Sequence, residues 1–355
     1  MTGKYDYIIV GQGLAGTVLV HTLIARGYSV LVIDDNDRNT ASRVAAGIVN
    51  PIVPKRLSKS WRVDELLPVM LEFYNEIGKK FEDQFFYRRR MIKPFAQDQE
   101  KVQWMKKKEQ DVGKFLGKDF VEDDLGGLIH NPLGAAEILH TGYLHVLKFL
   151  NQSRIYLESK NALLIERFDH DRLQINENSV SYGSFVANKL IFCEGAAAKS
   201  NPWFSNVDYR LTKGEILKIN LRDGNQLPAD VIINKGVFVL QTWHGHKQYT
   251  VGATFDWNDM STEPTEKARQ ELIEKLEKVL KVPFDVIAQQ AAIRPTMNDR
   301  RPVIGLHPEY PVLGIFNGLG TKGVMLAPYF AQHLVGFLEN RHPLDPEVDF
   351  SRFAG

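Results

Sequence analysis

The chain opens on a run of apolar residues, Tyr7-Ile8-Ile9-Val10, that ends in glycine. From Leu14 to Arg26 apolar residues recur at helical spacing until Gly27, and a second apolar run, Ser29 to Ile33, ends in Asp34-Asp35. Short apolar runs bounded by turn residues predict buried strands, and the helical period between them predicts a helix. The first 35 residues therefore read as one strand-helix-strand unit. At the other end, an apolar strand over 312–316 is followed by the glycine-rich segment Asn317 to Gly323 and an apolar helix from Val324 to about Leu338. Between the two ends the pattern predicts helices over 66–81, 101–115 and 142–150, and β-rich runs from 155 to 192. Further strands are predicted at 215–219, 237–241 and 249–251, and an amphipathic helix over 264–280.

Strand-turn-helix units at both ends, with β-rich material between, predict an α/β chain with a discontinuous Rossmann-like domain over 1–80, 142–205 and 294–355. A second, α+β domain with a mixed or antiparallel sheet then takes 81–141 and 206–293. The length of 355 residues suits two such domains. With 44 basic and 43 acidic residues, no global field draws in nucleic acid or an anionic membrane. A single cysteine, Cys193, excludes an intramolecular disulfide framework and a cysteine-rich metal site. No signal-peptide pattern and no bilayer-length apolar stretch occur, so a cytoplasmic protein without an integral membrane segment is expected. His244 and His246 flank Gly245 with no acidic or cysteine ligand close by, which favours the edge of a substrate pocket over a metal site.

The candidate chemistry begins in Gly11-Gln12-Gly13-Leu14-Ala15-Gly16. Gly11 permits a sharp turn, Gly13 a close approach of backbone to pyrophosphate, and Gly16 tight packing of helix on strand. The helix that starts at Leu14 and Ala15 offers free amides to the phosphates. Asp34, with Asp35 beside it, stands where an acidic side chain takes the ribose hydroxyls of an adenosine. This motif predicts a dinucleotide site and does not separate FAD from NAD. Arg294 follows the apolar stretch 286–293, so its guanidinium is expected to be partly buried and to need an anion. That anion is either a structural partner such as Asp299 or a substrate carboxylate. Lys322 puts a cation at a helix start, where the dipole disfavours one. Either it is solvated, or an anion such as the N1 and C2-carbonyl edge of a reduced flavin lies near it.

Taken in order, these segments resemble the D-amino acid oxidase-like FAD oxidoreductases, the superfamily of glycine oxidase and sarcosine oxidase. The resemblance covers nearly the whole chain and rests on the glycine turn with Asp34, Ser42 to Ile48, Phe192 to Ala196, Gly252-Ala253-Thr254, Arg294 to Gly305 and Gly318 to Pro328. It implies FAD held without a covalent tether, since the flavin-linking cysteine of some relatives, close to the position of Arg294, is absent. It further implies cofactor contacts from Ser42, Arg43, Ala46, Gly47 and Ile48, and from Cys193, Glu194 and Gly195, with the backbone of Ala162 offered to the adenine. Arg294 matches the arginine that binds the substrate carboxylate, and Gly318, Leu319, Gly320, Thr321, Lys322 and Gly323 match the turn at the flavin ring.

The implied activity is oxidation of an amino acid or secondary amine, with hydride passing to flavin N5, the imine hydrolysing in water, and oxygen or another acceptor reoxidising the flavin. No side-chain base is required if the amine binds neutral. The closing loop and the segment 251–256 also resemble the oxidase half of the bifunctional enzyme that modifies the tRNA wobble uridine. On that alternative, Lys55, Arg56, Lys59, Arg88 to Arg90 and Lys106 to Lys108 form a phosphate-contacting face. An NAD-binding dehydrogenase and a non-catalytic flavoprotein are the remaining alternatives.

Overall fold

A computed structural model describes residues 3–37, 39–242 and 247–353. The chain divides into two compact units, one of residues 1–45, 146–212 and 293–355, the other of residues 46–145 and 213–292.

The first unit is built on five parallel strands in the order Leu163–Leu164, Val30–Ile33, Gly3–Val10, Phe185–Phe192 and Leu313–Asn317. Ile8, Ile9, Val32, Ile33, Leu190 and Ile191 are wholly buried. That is why these strands read as unbroken apolar runs, the signature of a sheet covered on both faces. Val180–Tyr182 and Val303–Leu306 extend it with antiparallel pairs. The helix Leu14–Ala25 is buried along nearly its whole length and the helix Gly323–Leu338 buries ten of its residues, so neither shows a strong polar face.

In the second unit an eight-stranded sheet runs in the order Phe284–Arg294, Thr212–Leu221, Gln248–Gly252, Val237–Leu240, Val231–Lys235, Arg90–Pro94, Ala135–Ile138, Leu116–Val121. Val231–Lys235 and Arg90–Pro94 pair in parallel, so the sheet is mixed. The helix Glu266–Glu277 covers one face, with Leu272 and Leu276 packed among Leu217, Ile219, Val239 and Val251.

Several expected boundaries move. Residues 46–80 belong to the second unit, because Ile48–Val49 pairs with Gly142–Leu144, which in turn pairs with Phe86–Arg88. Gly142–Leu144 is therefore a strand, and the helix predicted over 142–150 is Val146–Ser159, whose buried Val146, Phe149, Leu150, Ser153 and Leu157 recur at helical spacing. The helix predicted over 101–115 is Asp98–Lys108 followed by a separate 3-10 turn, Asp111–Phe115. Among the described residues no helix is long and apolar enough to cross a membrane.

Candidate functional site

The glycine turn is a crossing of three backbones. The Gly11 amide donates to the Ile33 carbonyl at 2.8 Å, and Gly11 sits at φ +99°, where side chains are rarely tolerated. A Cβ at Gly11 would stand 2.6 Å from the Cys193 carbonyl oxygen, and one at Gly16 would overlap the Gly11 carbonyl. Cys193 thus meets the turn through its carbonyl at Gly11 and through its Cβ, 3.3 Å from where a Cβ would stand on Gly16; its thiol is buried and held protonated by desolvation. Gly13 caps the helix Leu14–Ala25 with no side chain, and no acidic residue occupies the first turn. The Leu14 amide donates to Ser42 Oγ at 2.9 Å. The other first-turn amides have no partner within the helix. A bare helix start of this kind accepts an anion.

Asp34 closes the crossing. Its Oδ2 accepts from the Gln12 amide at 2.8 Å and its Oδ1 from the Asn36 amide at 2.9 Å and from the Arg154 guanidinium. Arg154 is buried and also donates from Nε to Gln12 Oε1 at 3.1 Å. Sequence reasoning missed Gln12 and Arg154; a buried arginine on a mostly apolar helix face is the signal that points to a carboxylate partner. Asp35 is exposed and accepts the Asp37 amide at 3.1 Å, which makes it a loop-shaping residue. The Ala162 amide donates to the Leu157 carbonyl at 2.9 Å and its carbonyl accepts from Val32 at 2.8 Å, with a second lone pair of that carbonyl left over. The Glu194 carboxylate is held by His170 at 3.2 Å and by Asn201 at 2.8 Å. Gly195, at φ +59°, has no atom within 4 Å of where a Cβ would stand.

Arg294 and Lys322 lie in the same unit as the turn. The loop Gly318 to Gly323 rests on the segment after Arg294: the Gly320 amide donates to the Pro295 carbonyl at 3.2 Å, and a Cβ at Gly318 would be 2.7 Å from Met297 Cγ. On its other side the loop touches the glycine turn, since a Cβ at Gly323 would be 3.2 Å from Leu14 Cδ2. Leu319 is buried, whereas Thr321 is exposed. Both cations are half-buried, and desolvation lowers Arg294 to about 10 and Lys322 to about 8. Asp299, the structural partner considered for Arg294, accepts the Arg301 amide and lies 3.4 Å from Arg352 Nε. Asn317, buried at the end of its strand, donates to the Gly195 carbonyl at 2.8 Å and to the Tyr209 hydroxyl at 3.1 Å. It locks the loop to the strand end after Phe192, a role no sequence motif announces.

Ala46, Gly47 and Ile48 fall in the second unit. Gly47, at φ +71°, accepts the Leu144 amide at 2.9 Å, and Ile48 pairs with Tyr143. Arg43 stays in the first unit and donates to Asn36 Oδ1 at 2.8 Å. His244 and His246 lie outside the described residues.

A model of the FAD dependent oxidoreductase family matches residues 6–336. The chain belongs to that family. Its cofactor is FAD, which the bare helix start, the glycine crossing and two desolvated cations in one unit fit. The tRNA 5-methylaminomethyl-2-thiouridine biosynthesis bifunctional protein MnmC of Marinobacter nauticus is 24% identical over 94% of this chain. The chain spans only 55% of that relative's length. The uncharacterized oxidoreductase YurR of Bacillus subtilis is also 24% identical, with 98% of both chains covered. Among solved structures, glycine oxidase from Bacillus cereus superposes with a TM-score of 0.78 at 17% identity over 96% of each chain. The mixed α/β architecture is therefore that of this oxidoreductase family.

Proposed function

We infer that the protein oxidises the carbon–nitrogen bond of an amino acid or carboxylated secondary amine. The observation that carries this reading is the pair of desolvated cations, Arg294 and Lys322, on two segments that pack together beside the glycine turn. Bound FAD supplies the two-electron acceptor for the C–H bond next to nitrogen. Arg294 holds the substrate carboxylate through its planar fork and so fixes which C–H is presented. Lys322 and the start of the helix Gly323–Leu338 favour negative charge in front of them. An amine bound neutral needs no side-chain base, and none is assigned.

The test is anaerobic bleaching of the purified yellow protein against amino acids and N-alkyl glycines. Substrates with a carboxylate should bleach it and their decarboxylated analogues should not. Equal bleaching by both sets would remove Arg294 from substrate binding, and bleaching by neither would leave a non-catalytic flavoprotein. A colourless protein stabilised by NAD would refute the whole reading.

A second reading, oxidation of a carboxymethylaminomethyl group on a tRNA wobble uridine, is supported by the likeness to MnmC along 94% of the chain. It is also supported by a groove of about 310 Å³ lined by Arg56, Lys106 and Lys107 with Gln103 and Gln110, which draws two of the basic segments together. Lys59 is engaged by Asp64 and Asp111, and Arg90 by Glu137 and Asp230, which weakens the rest of that face. Binding of tRNA that falls steeply with salt would favour it, and no binding at low ionic strength would end it.

A further inference from the structure

Arg154 is a buried charge that the fold of the first unit does not fully satisfy. It lies on the helix Val146–Ser159, whose other buried positions are Val146, Phe149, Leu150, Ser153 and Leu157. A guanidinium in such a place costs more than an apolar side chain unless all of its donors are used. Here Nε donates to Gln12 Oε1 at 3.1 Å and Nη2 donates to Asp34 Oδ1, but Nη1 is buried and, among the described residues, has no partner. The gain that offsets this cost lies in what the arginine holds.

It holds Asp34, through a closed ring. The Gln12 amide donates to Asp34 Oδ2 at 2.8 Å, the Gln12 side-chain carbonyl takes Arg154 Nε, and Arg154 returns to Asp34 Oδ1. Gln12 Nε2 fastens the ring to both neighbouring helices, donating to the Leu150 carbonyl at 3.0 Å and to Thr17 Oγ1 at 3.3 Å. An ionised carboxylate has about four acceptor sites, two on each oxygen. On Oδ1 both are taken, by the Asn36 amide at 2.9 Å and by Arg154; on Oδ2 one is taken, by the Gln12 amide. Among the described residues one acceptor site is left, and it belongs to Oδ2. Asp34 keeps 17% of its side chain exposed, which leaves the carboxylate within reach of a ligand.

We propose that Arg154 is a positioning residue for FAD: by filling the second acceptor site of Oδ1, it sets Asp34 to accept one hydroxyl of the adenosine ribose rather than both. Without the arginine, the acid would offer a site on each oxygen and could take the vicinal diol with two bonds. With it, the acid offers one site, its direction fixed by Gln12, Asn36 and Arg154 and its charge balanced by the guanidinium. A hydroxyl bonded to an ionised carboxylate gains more than one bonded to a neutral acceptor, so a single contact is enough to discriminate. The assignment concerns the cofactor and residues of the first unit, and it does not depend on amine oxidation.

The experiment strips the protein of flavin and titrates it with FAD and with two analogues, one lacking the 2′-hydroxyl and one the 3′-hydroxyl of the adenosine ribose. Flavin fluorescence reads each Kd without turnover. One analogue should bind about tenfold more weakly than FAD, and the other within about twofold of it. Equal weakening of both means that two hydroxyls are read, and weakening of neither means that Asp34 reads none; either result overturns the proposal. In Arg154→Met the buried Oδ1 loses its countercharge, which favours a protonated or turned carboxyl. The penalty for the missing hydroxyl should then fall below about threefold, and Arg154→Lys, which keeps the charge, should restore it to about fivefold or more. An Arg154→Met protein that binds FAD more weakly yet keeps the full penalty would make Arg154 structural and overturn the proposal. If Arg154→Met fails to fold, the comparison of the two analogues on the wild type still decides.

Discussion

The two units place their chemistry by opposite means. In the first, backbones cross so closely at Gly11, Gly16 and Gly318 that the absence of a side chain is the functional feature. In the second, a mixed sheet presents side chains in a regular register. Backbone crossings admit almost no substitution, whereas a sheet face tolerates many. That difference explains why a cofactor can be read from this sequence more readily than a substrate.

The sharpest way to break the comparison is to put a methyl group on a glycine of each unit. Gly16→Ala must displace the Gly11 carbonyl, and a loss on the order of 3 kcal/mol with little FAD in the purified protein is expected. Gly236→Ala in the second unit meets nothing within 4 Å; only its φ of +72° resists, at about 1 kcal/mol. Calorimetry and the flavin absorbance read both, and equal losses would dissolve the contrast. Next in size is Arg294→Ala, which should raise KM for carboxylated substrates by about 100-fold. The FAD Kd should stay within about threefold; parallel loss of FAD would make Arg294 structural.

Lys322→Met tests charge rather than shape. The lysine stands at about 8 without FAD and is pushed higher by negative charge in front of it, so flavin reduction by substrate should slow only as pH rises above about 8. The variant should be slower by roughly tenfold or more and lack the inflection. Stability carries the opposite sign. The lysine titrates at 10.5 when unfolded and about 8 when folded, so between those values the unfolded chain binds more protons. The FAD-free protein should then gain stability as pH rises from about 8 to 10.5, and Lys322→Met should flatten that slope. The smallest effect is that of Ser42→Ala, which removes the acceptor of the Leu14 amide and should cost about 1 kcal/mol in thermal unfolding.

Much of the first unit was legible for a physical reason. Strands buried on both faces read as unbroken apolar runs, and glycines mark crossings, so the parallel core and the turn at Gly11 to Gly16 follow from local pattern. The partner of that turn, the Cys193 carbonyl, lies far along the chain and leaves no mark in its side chain. Arg154, Asn317 and Tyr209 act through contacts across more than 100 residues, as in Arg154 to Asp34 and Asn317 to Tyr209, which periodicity does not encode. The strand Gly142–Leu144 was hidden because its three residues run directly into a helix.

The strand Leu313–Asn317 completes the parallel sheet beside Phe185–Phe192, and Asn317 fastens the Gly195 carbonyl. During synthesis the turn at Gly11 to Gly16 leaves the ribosome about 300 residues before that strand exists. At about 5–20 residues per second the interval lasts roughly 15–60 s. The glycine turn therefore precedes the strand that completes its sheet by that interval.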